Sequence, residues 1–332
     1  MAGETSLTRS YGDVLSTTAD YIRPLLADSI TSRIPTLLYL NANGRKVMFQ
    51  GGFQLHFNVF KELSNAQIYT DDDTLSTTRA TNFTRAVYEI KQAASEVVLT
   101  GLDMLRNAGP QQLVSLLKGR IEAAELSLAQ VLGGSSSGIF STGTESTLDQ
   151  ITGLQSLVSA TPTAGTVGNI ARTNTWWRNI QASASDLFGT NGLTQLRSIM
   201  LQTSFGADVP NLLVCNQTGF ANYMRALTAT LNYNLPQAPA VASTTVLDYG
   251  VPTLKFFNMD VLYDDFVPAN RMYMLTLKYL HFMVHEDRDF VLGEFVVPEN
   301  KDQISAHIKW AGELCAHALR NHGVLTAGDT YS

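Results

Sequence analysis

Charge is scarce in this chain. Asp, Glu, Lys and Arg make up 16% of its 332 residues, against roughly 25% in ordinary soluble domains. The balance is acidic, net −6 at pH 7, which argues against a protein whose affinity comes from clustered Lys and Arg neutralising phosphates. Cysteine is nearly absent. Cys215 and Cys315 sit far apart in the apolar stretches NLLVC and GELCAHAL and read as two buried thiols rather than a disulfide. No apolar run approaches the roughly 18 residues of a membrane span, and MAGETSLTRS lacks the apolar core of a signal peptide, so the chain is expected to stay soluble in its own cytosol. With 45% hydrophobic residues and only 10 prolines, disordered and collagen-like classes drop out. The length suggests two domains, or one with large extensions. A surface short of ions must be built from Ser, Thr, Asn, Gln and Gly, which desolvate more cheaply than charges. Such a surface suits burial against copies of itself.

What is present falls into a clear order. Residues 1–42 start Ser/Thr-rich, and Pro24 and Pro35 break any continuous helix there, so this segment reads as an arm. From Lys46 to Lys61, Phe53, Leu55, Phe57 and Val59 alternate with Gln54, His56 and Asn58, the period of a strand with one buried face. Alternation returns at Ala86, Tyr88 and Ile90 after a polar tract. Two such strands around a polar tip predict a long β-hairpin reaching roughly 50 Å at about 3.3 Å per residue. Isolated ribbons of that kind are marginal in water and sticky at their edges, so a partner is expected to hold it.

The segment from Pro110 to Leu132 predicts one long helix. Pro110 suits its first turn, Gly133 and Gly134 its end, and Leu113, Leu117, Ile121, Ala124, Leu128 and Val131 form one apolar stripe. Between about 180 and 235 the periodicity is helical in places around a buried-strand candidate, NLLVC. Strands are expected again in TLKFFNMDVLYDD, RMYMLTLKYLHFMVH and DRDFVLGEFVV. For 303–322 the pattern leaves helix and strand both open.

Motifs for chemistry are few. His281 and His285 have the spacing of a helical zinc site, but Phe282 replaces the glutamate such a motif needs. On a strand they would lie about 13 Å apart, too far to share a metal. Asp71, Asp72 and Asp73 read as a solvated hairpin tip, or as a cluster meeting an arginine on another chain. Asp264 and Asp265 read as turn residues. There is no phosphate loop and no nucleophile elbow, and GTVGN is too short to count as a dinucleotide fingerprint. Trp176 and Trp177 cannot both enter one core from a strand, so one is expected inside and the other at an interface or a neighbouring loop.

The order of arm, hairpin, long helix, GTVGNIARTNTWWRN, VLYDDFVPANRMYMLTLKYLHFMVHEDRDF and IKWAGELCAHALRNHGVLT resembles the tailed-bacteriophage major capsid proteins of the Hong Kong 97 type. The resemblance implies an α+β capsid fold. Its expected parts are an N-terminal arm at 1–42 and an extended loop at 43–85. A P domain would take 86–150 and 251–300, with its spine helix at 110–132, and an A domain 151–250 and 301–332. It further implies a non-enzymatic structural protein that self-assembles as hexamers and pentamers into the icosahedral shell around a double-stranded DNA genome. Assembly in the host cytoplasm would yield a virion component without metal or cofactor. Implied partners are the chain itself, a portal, and a separate scaffolding protein, because only some 40 residues precede the hairpin. Contact with packaged DNA would be weak and unspecific, and a decoration protein is conceivable.

Subunit-contact candidates are Phe53, Phe57, Lys61, Asp71, Asp72, Asp73, Arg79, Trp176, Trp177 and Arg178. One relative cross-links a Lys to an Asn with the help of a buried Glu. Lys46, Lys61 and Asn300 are available here, but no motif ties them together, so no cross-link is expected. CAHALRN also departs from the run of arginines that relatives tend to show. Two other readings stay open: an encapsulin-type nanocompartment shell holding a cargo enzyme, and a metal-dependent hydrolase using the histidine-rich C-terminal third.

Overall fold

The computed structural model describes residues 33–75, 77, 79–106, 110–185, 190–232 and 253–327. Most of the expected N-terminal arm therefore lies outside the described residues. Its last part does not behave as an arm. Pro35 opens a helix, α1 (Pro35–Ala42), where its missing N–H costs nothing. Ile34, Leu37, Leu38, Tyr39 and Leu40 are all buried. Thr36 donates through both its backbone N–H and its hydroxyl to Asp264 Oδ2, at 3.1 and 2.6 Å. The Tyr39 hydroxyl donates to Asp260 at 2.6 Å. The chain then forms β1 (Lys46–Phe49), which had been expected in the hairpin but pairs in parallel with a strand more than 230 residues further on.

The hairpin proper is β2 (Gln54–Phe60) and β3 (Phe83–Glu89), and β4 (Lys91–Thr100) follows directly. The long helix is α2 (Pro110–Gly133), about 36 Å at 1.5 Å per residue. Leu117, Ile121, Ala124, Leu128 and Leu132 make its buried stripe, while Val131 faces out. The stripe packs on β4. The helix stops at Gly133, where a Cβ would lie 2.7 Å from the Phe266 ring.

Next come β5 (Thr166–Val167), β6 (Ile170–Ala171) and β7 (Ile180–Ala184). They are followed by α3 (Thr190–Thr203), β8 (Leu212–Cys215) and α4 (Gln217–Asn232). The remaining strands are β9 (Thr253–Phe256), β10 (Met259–Tyr263), β11 (Arg271–Leu275), β12 (Leu280–His285), β13 (Val291–Leu292), β14 (Gln303–Ala316) and β15 (Gly323–Ala327).

Two larger sheets organise these strands. In the five-stranded one, β14 pairs antiparallel with β4, β12 and β13, and β1 lies outside β12. Trp310, fully buried, stacks on Phe282 at 5.6 Å and lies near Phe290. The six-stranded sheet runs β7-β15-β11-β8-β10-β9. Every residue of β8 is buried, as NLLVC predicts. Leu196, Ile199, Leu213, Cys215, Tyr223, Met272, Met274 and Leu325 form a second core there.

The sheets do not follow the segments of the expected division. β9 to β11 were expected with the long helix, yet they pair with β8 and β15. β14 was expected with the middle region, yet it lies against β4 beside α2. Hydrogen-bond partners settle which sheet a strand joins, and nothing local in the sequence encodes them.

Candidate functional site

The hairpin is anchored in the main core at one end only. β2 and β3 pair in the register Leu55↔Tyr88, Phe57↔Ala86 and Val59↔Thr84, which puts Leu55, Val59, Ala86 and Tyr88 on one buried face. The ladder ends at Phe60↔Phe83, so it covers roughly 23 Å rather than the expected 50 Å. Beyond it, residues 61–82 are rich in Asp, Asn, Ser and Thr, which favour local turns over a ladder. Asn82 donates to Glu62 O at 3.0 Å and Ser64 Oγ at 2.9 Å. Gln67 donates to Thr74 O at 3.1 Å. Asp73 accepts from the Thr70 N–H at 2.9 Å. Every residue from 60 to 75 is exposed.

Along this arm stand large apolar side chains facing water. Phe53 is 90% exposed, Leu63 77%, Ile68 102% and Tyr69 62%, and Phe60, Leu75 and Phe83 are also more than half exposed. A folded chain does not leave such a string uncovered without a use for it.

The seat beneath the arm is well built. Val167-Gly168-Asn169-Ile170 is a tight hairpin turn with φ near +60° at both central residues, the type I′ geometry for which Gly and Asn are suited. This explains GTVGN without any nucleotide. The Gly168 carbonyl accepts from Val87 N at 3.0 Å, and Glu145 accepts from the Asn169 N–H at 3.1 Å. The fully buried Tyr88 hydroxyl donates to Ala316 O at 2.6 Å. Phe57 lies parallel to the rings of His281 and His317, with centroids at 5.7 and 6.1 Å.

Behind the seat is a buried polar cluster that sequence reading missed. Glu313 is fully buried and accepts from the N–H groups of Thr152 at 2.7 Å and Leu314 at 2.9 Å, while its Oε2 has no hydrogen-bond partner. Burial pushes its pKa up to about 8, against the opposing pull of those N–H groups and of Lys91. Lys91, also buried, donates to Glu145 O at 2.9 Å. Arg172 donates to Asn179 Oδ1 at 2.7 Å and to the carbonyls of Ser156 and Leu157, and burial lowers its pKa to about 10. No local pattern marks these residues. Only their partners make charge tolerable inside.

The predicted contact residues divide. Lys61, Asp71, Asp72, Asp73 and Arg79 are exposed on the arm, Phe53 is exposed just ahead of β2 at the other end of the ladder, and Phe57 is half-buried within β2. Trp176 and Trp177 lie on a 3₁₀ turn rather than a strand. Trp177 is buried and donates to Val167 O at 2.8 Å, and Trp176 is half-exposed beside it. Arg178 is half-buried and belongs to this base, not to the arm. Lys46 is tied to Asp289 at 2.6 Å with both side chains largely buried, whereas Lys61 and Asn300 stay exposed.

His281 and His285 lie on strand β12, and His281 faces His317 ring on ring at 5.0 Å. Among the described residues no cluster of three or more His, Cys, Asp or Glu could hold a metal, and no helix is long and apolar enough to cross a membrane. Cys215 and Cys315 are buried and unpaired.

No protein-family model and no curated protein matches the chain. Solved structures do. A capsid asymmetric unit of cyanophage A-1(L) aligns with a TM-score of 0.63 at 13% identity over 86% of this chain and 91% of that one. A chain from Mycobacterium phage Ogopogo aligns at 0.54 and 9% identity, over 87% and 91%. An encapsulin from Synechococcus elongatus PCC 7942 aligns at 0.51 and 11%, over 87% and 88%. At such identities the likeness is one of fold, and the fold this chain adopts is the α+β capsid fold of the Hong Kong 97 type.

Proposed function

We propose that this chain is a major capsid protein, the repeating subunit of a closed shell built from hexamers and pentamers around the double-stranded DNA of a tailed phage. The observation that carries the reading is the arm of residues 61–82, whose apolar side chains Leu63, Ile68, Tyr69 and Leu75 are covered by nothing among the described residues. A sibling subunit supplies that cover. Each contact is modest, and closure multiplies it because every subunit touches several others. In this reading the five-stranded sheet with α2 is the P domain, the six-stranded sheet with α3 and α4 is the A domain, and the arm is the extended loop. Asp71, Asp72, Asp73 and Arg79 then set register against a neighbour. Its role is structural rather than catalytic. The low charge and net −6 suit a wall that must not trap the genome. A scaffolding protein, a portal and a decoration protein are the partners such a shell would use.

The test replaces residues 61–82 with Asn-Gly, joining Phe60 to Phe83 through the tight turn that their register allows. A folded subunit that makes no stable shells is the expected result. Normal particles from this variant would refute the role of the arm. The likeness to an encapsulin supports a second reading, a shell around protein cargo. The contents of purified particles, nucleic acid or a cargo enzyme, separate the two.

A further inference from the structure

The root of the arm rests on two imidazoles. Phe57 of β2 lies over His281 of β12, the planes 9° apart, and over His317, which follows β14, with planes 10° apart. The two histidine rings are themselves nearly parallel at 5.0 Å. Tyr279 meets His317 edge-on at 5.0 Å, and Tyr88 of β3 meets Phe57 edge-on at 6.1 Å. His317 Nδ1 is buried without a hydrogen-bond partner.

The charged groups facing this cluster are basic. Arg45, ahead of β1, acts on both histidines, and Lys278, beside Tyr279, acts on His317. His322, fully buried ahead of β15, also interacts with His317. Asp208 is spent on Lys278 at 2.8 Å and on the Tyr279 hydroxyl. Neutral rings stack in this arrangement. A second positive charge 5.0 Å from the first, among further cations, meets no free carboxylate among the described residues.

We propose that the His281–His317 pair is an acid-sensitive catch on the arm. While both imidazoles are neutral they seat Phe57 and the root of β2 and β3. When both are protonated they repel, the stack parts and the root lifts, leaving the two sheets in place. The proposal goes beyond the shell reading and stands without it, because the cluster lies within one subunit.

The direction of the pH dependence follows from burial. It lowers both histidines from the usual 6.5, His317 to about 4, with His281 and then Lys278 and Arg45 adding to it. The seated state therefore binds fewer protons than the released state. Seating is fully stable above about pH 6.5 and weakens as pH falls toward 4. Both rings are partly open to solvent, so the expected change by pH 4.5 is about tenfold in the opening equilibrium rather than the larger factor of a fully buried group.

Amide hydrogen exchange of the full-length subunit tests this, read at pH 7.5 and 4.5 and corrected for intrinsic rates. Opening of 54–60 and 83–89 should rise about tenfold at the lower pH while β8 keeps its protection. The double variant His281→Phe/His317→Phe keeps an aromatic stack that cannot charge, and its root should stay closed at pH 4.5. The single variant His281→Phe should show a smaller response. Equal root protection at both pH values in the parent protein, loss of β8 protection together with the root, or an undiminished acid response in the double variant would each overturn the catch.

Discussion

Replacing Leu63, Ile68 and Tyr69 together by serine separates folding from assembly, because all three stand on the arm clear of either core. Their loss should leave the subunit's own stability within about 0.5 kcal/mol, as for surface positions generally. If a neighbour covers them, each forfeits about 1.5–3 kcal/mol of burial, or about 5–9 kcal/mol per arm. Ordering and imperfect desolvation at an interface consume part of such a sum, so about 3–4 kcal/mol per contact is a sober expectation. At 1.4 kcal/mol per tenfold that is about two to three decades in contact affinity. The assay pairs thermal melts of the dissociated subunit with size-exclusion chromatography and negative-stain microscopy across a concentration series. The melting temperature should hold while shells vanish at concentrations where the parent protein assembles. Shells forming at the parent's concentration would refute the claim that the arm's apolar string is interface. A fall of many degrees in the melt would show instead that the arm belongs to the subunit's own core.

Glu313→Gln should change the pH profile of stability. The folded pKa of about 8 lies above the ordinary 4.5, so the contribution of this one carboxyl is fully present below about 4.5 and is lost as pH rises toward 8. The variant should therefore gain about 2–4 kcal/mol relative to the parent between pH 5 and 8.5, measured by denaturant melts, and a flat difference would contradict the buried-carboxyl account. Gly168→Ala places a side chain at φ +60° with its Cβ 2.9 Å from Ala86 Cβ. A loss of about 1–2 kcal/mol is expected, together with faster proteolysis of the arm root; unchanged protease sensitivity would show that the turn does not hold the seat.

The sequence by itself determined whatever is encoded within a dozen residues. Pro110, the stripe through Leu128 and Gly133 delimit the long helix, because cap chemistry and a 3.6-residue period are local. The alternation from Leu55 to Val59, the apolar run of β8 and the burial of both cysteines are legible for the same reason. The order of such elements also carried the capsid resemblance. Tertiary structure decided what pairs with what. Residues 303–316 fit a helix or a strand until β4 and β12 take up their hydrogen bonds. Lys46–Phe49 look like more of the hairpin until β12 lies beside them. Glu313, Lys91 and Arg172 look like surface residues, and His281 and His317 like lone histidines, until the chain folds back over them. These outcomes depend on contacts between residues far apart in the chain, and a hydrophobic period specifies a face without naming its partner.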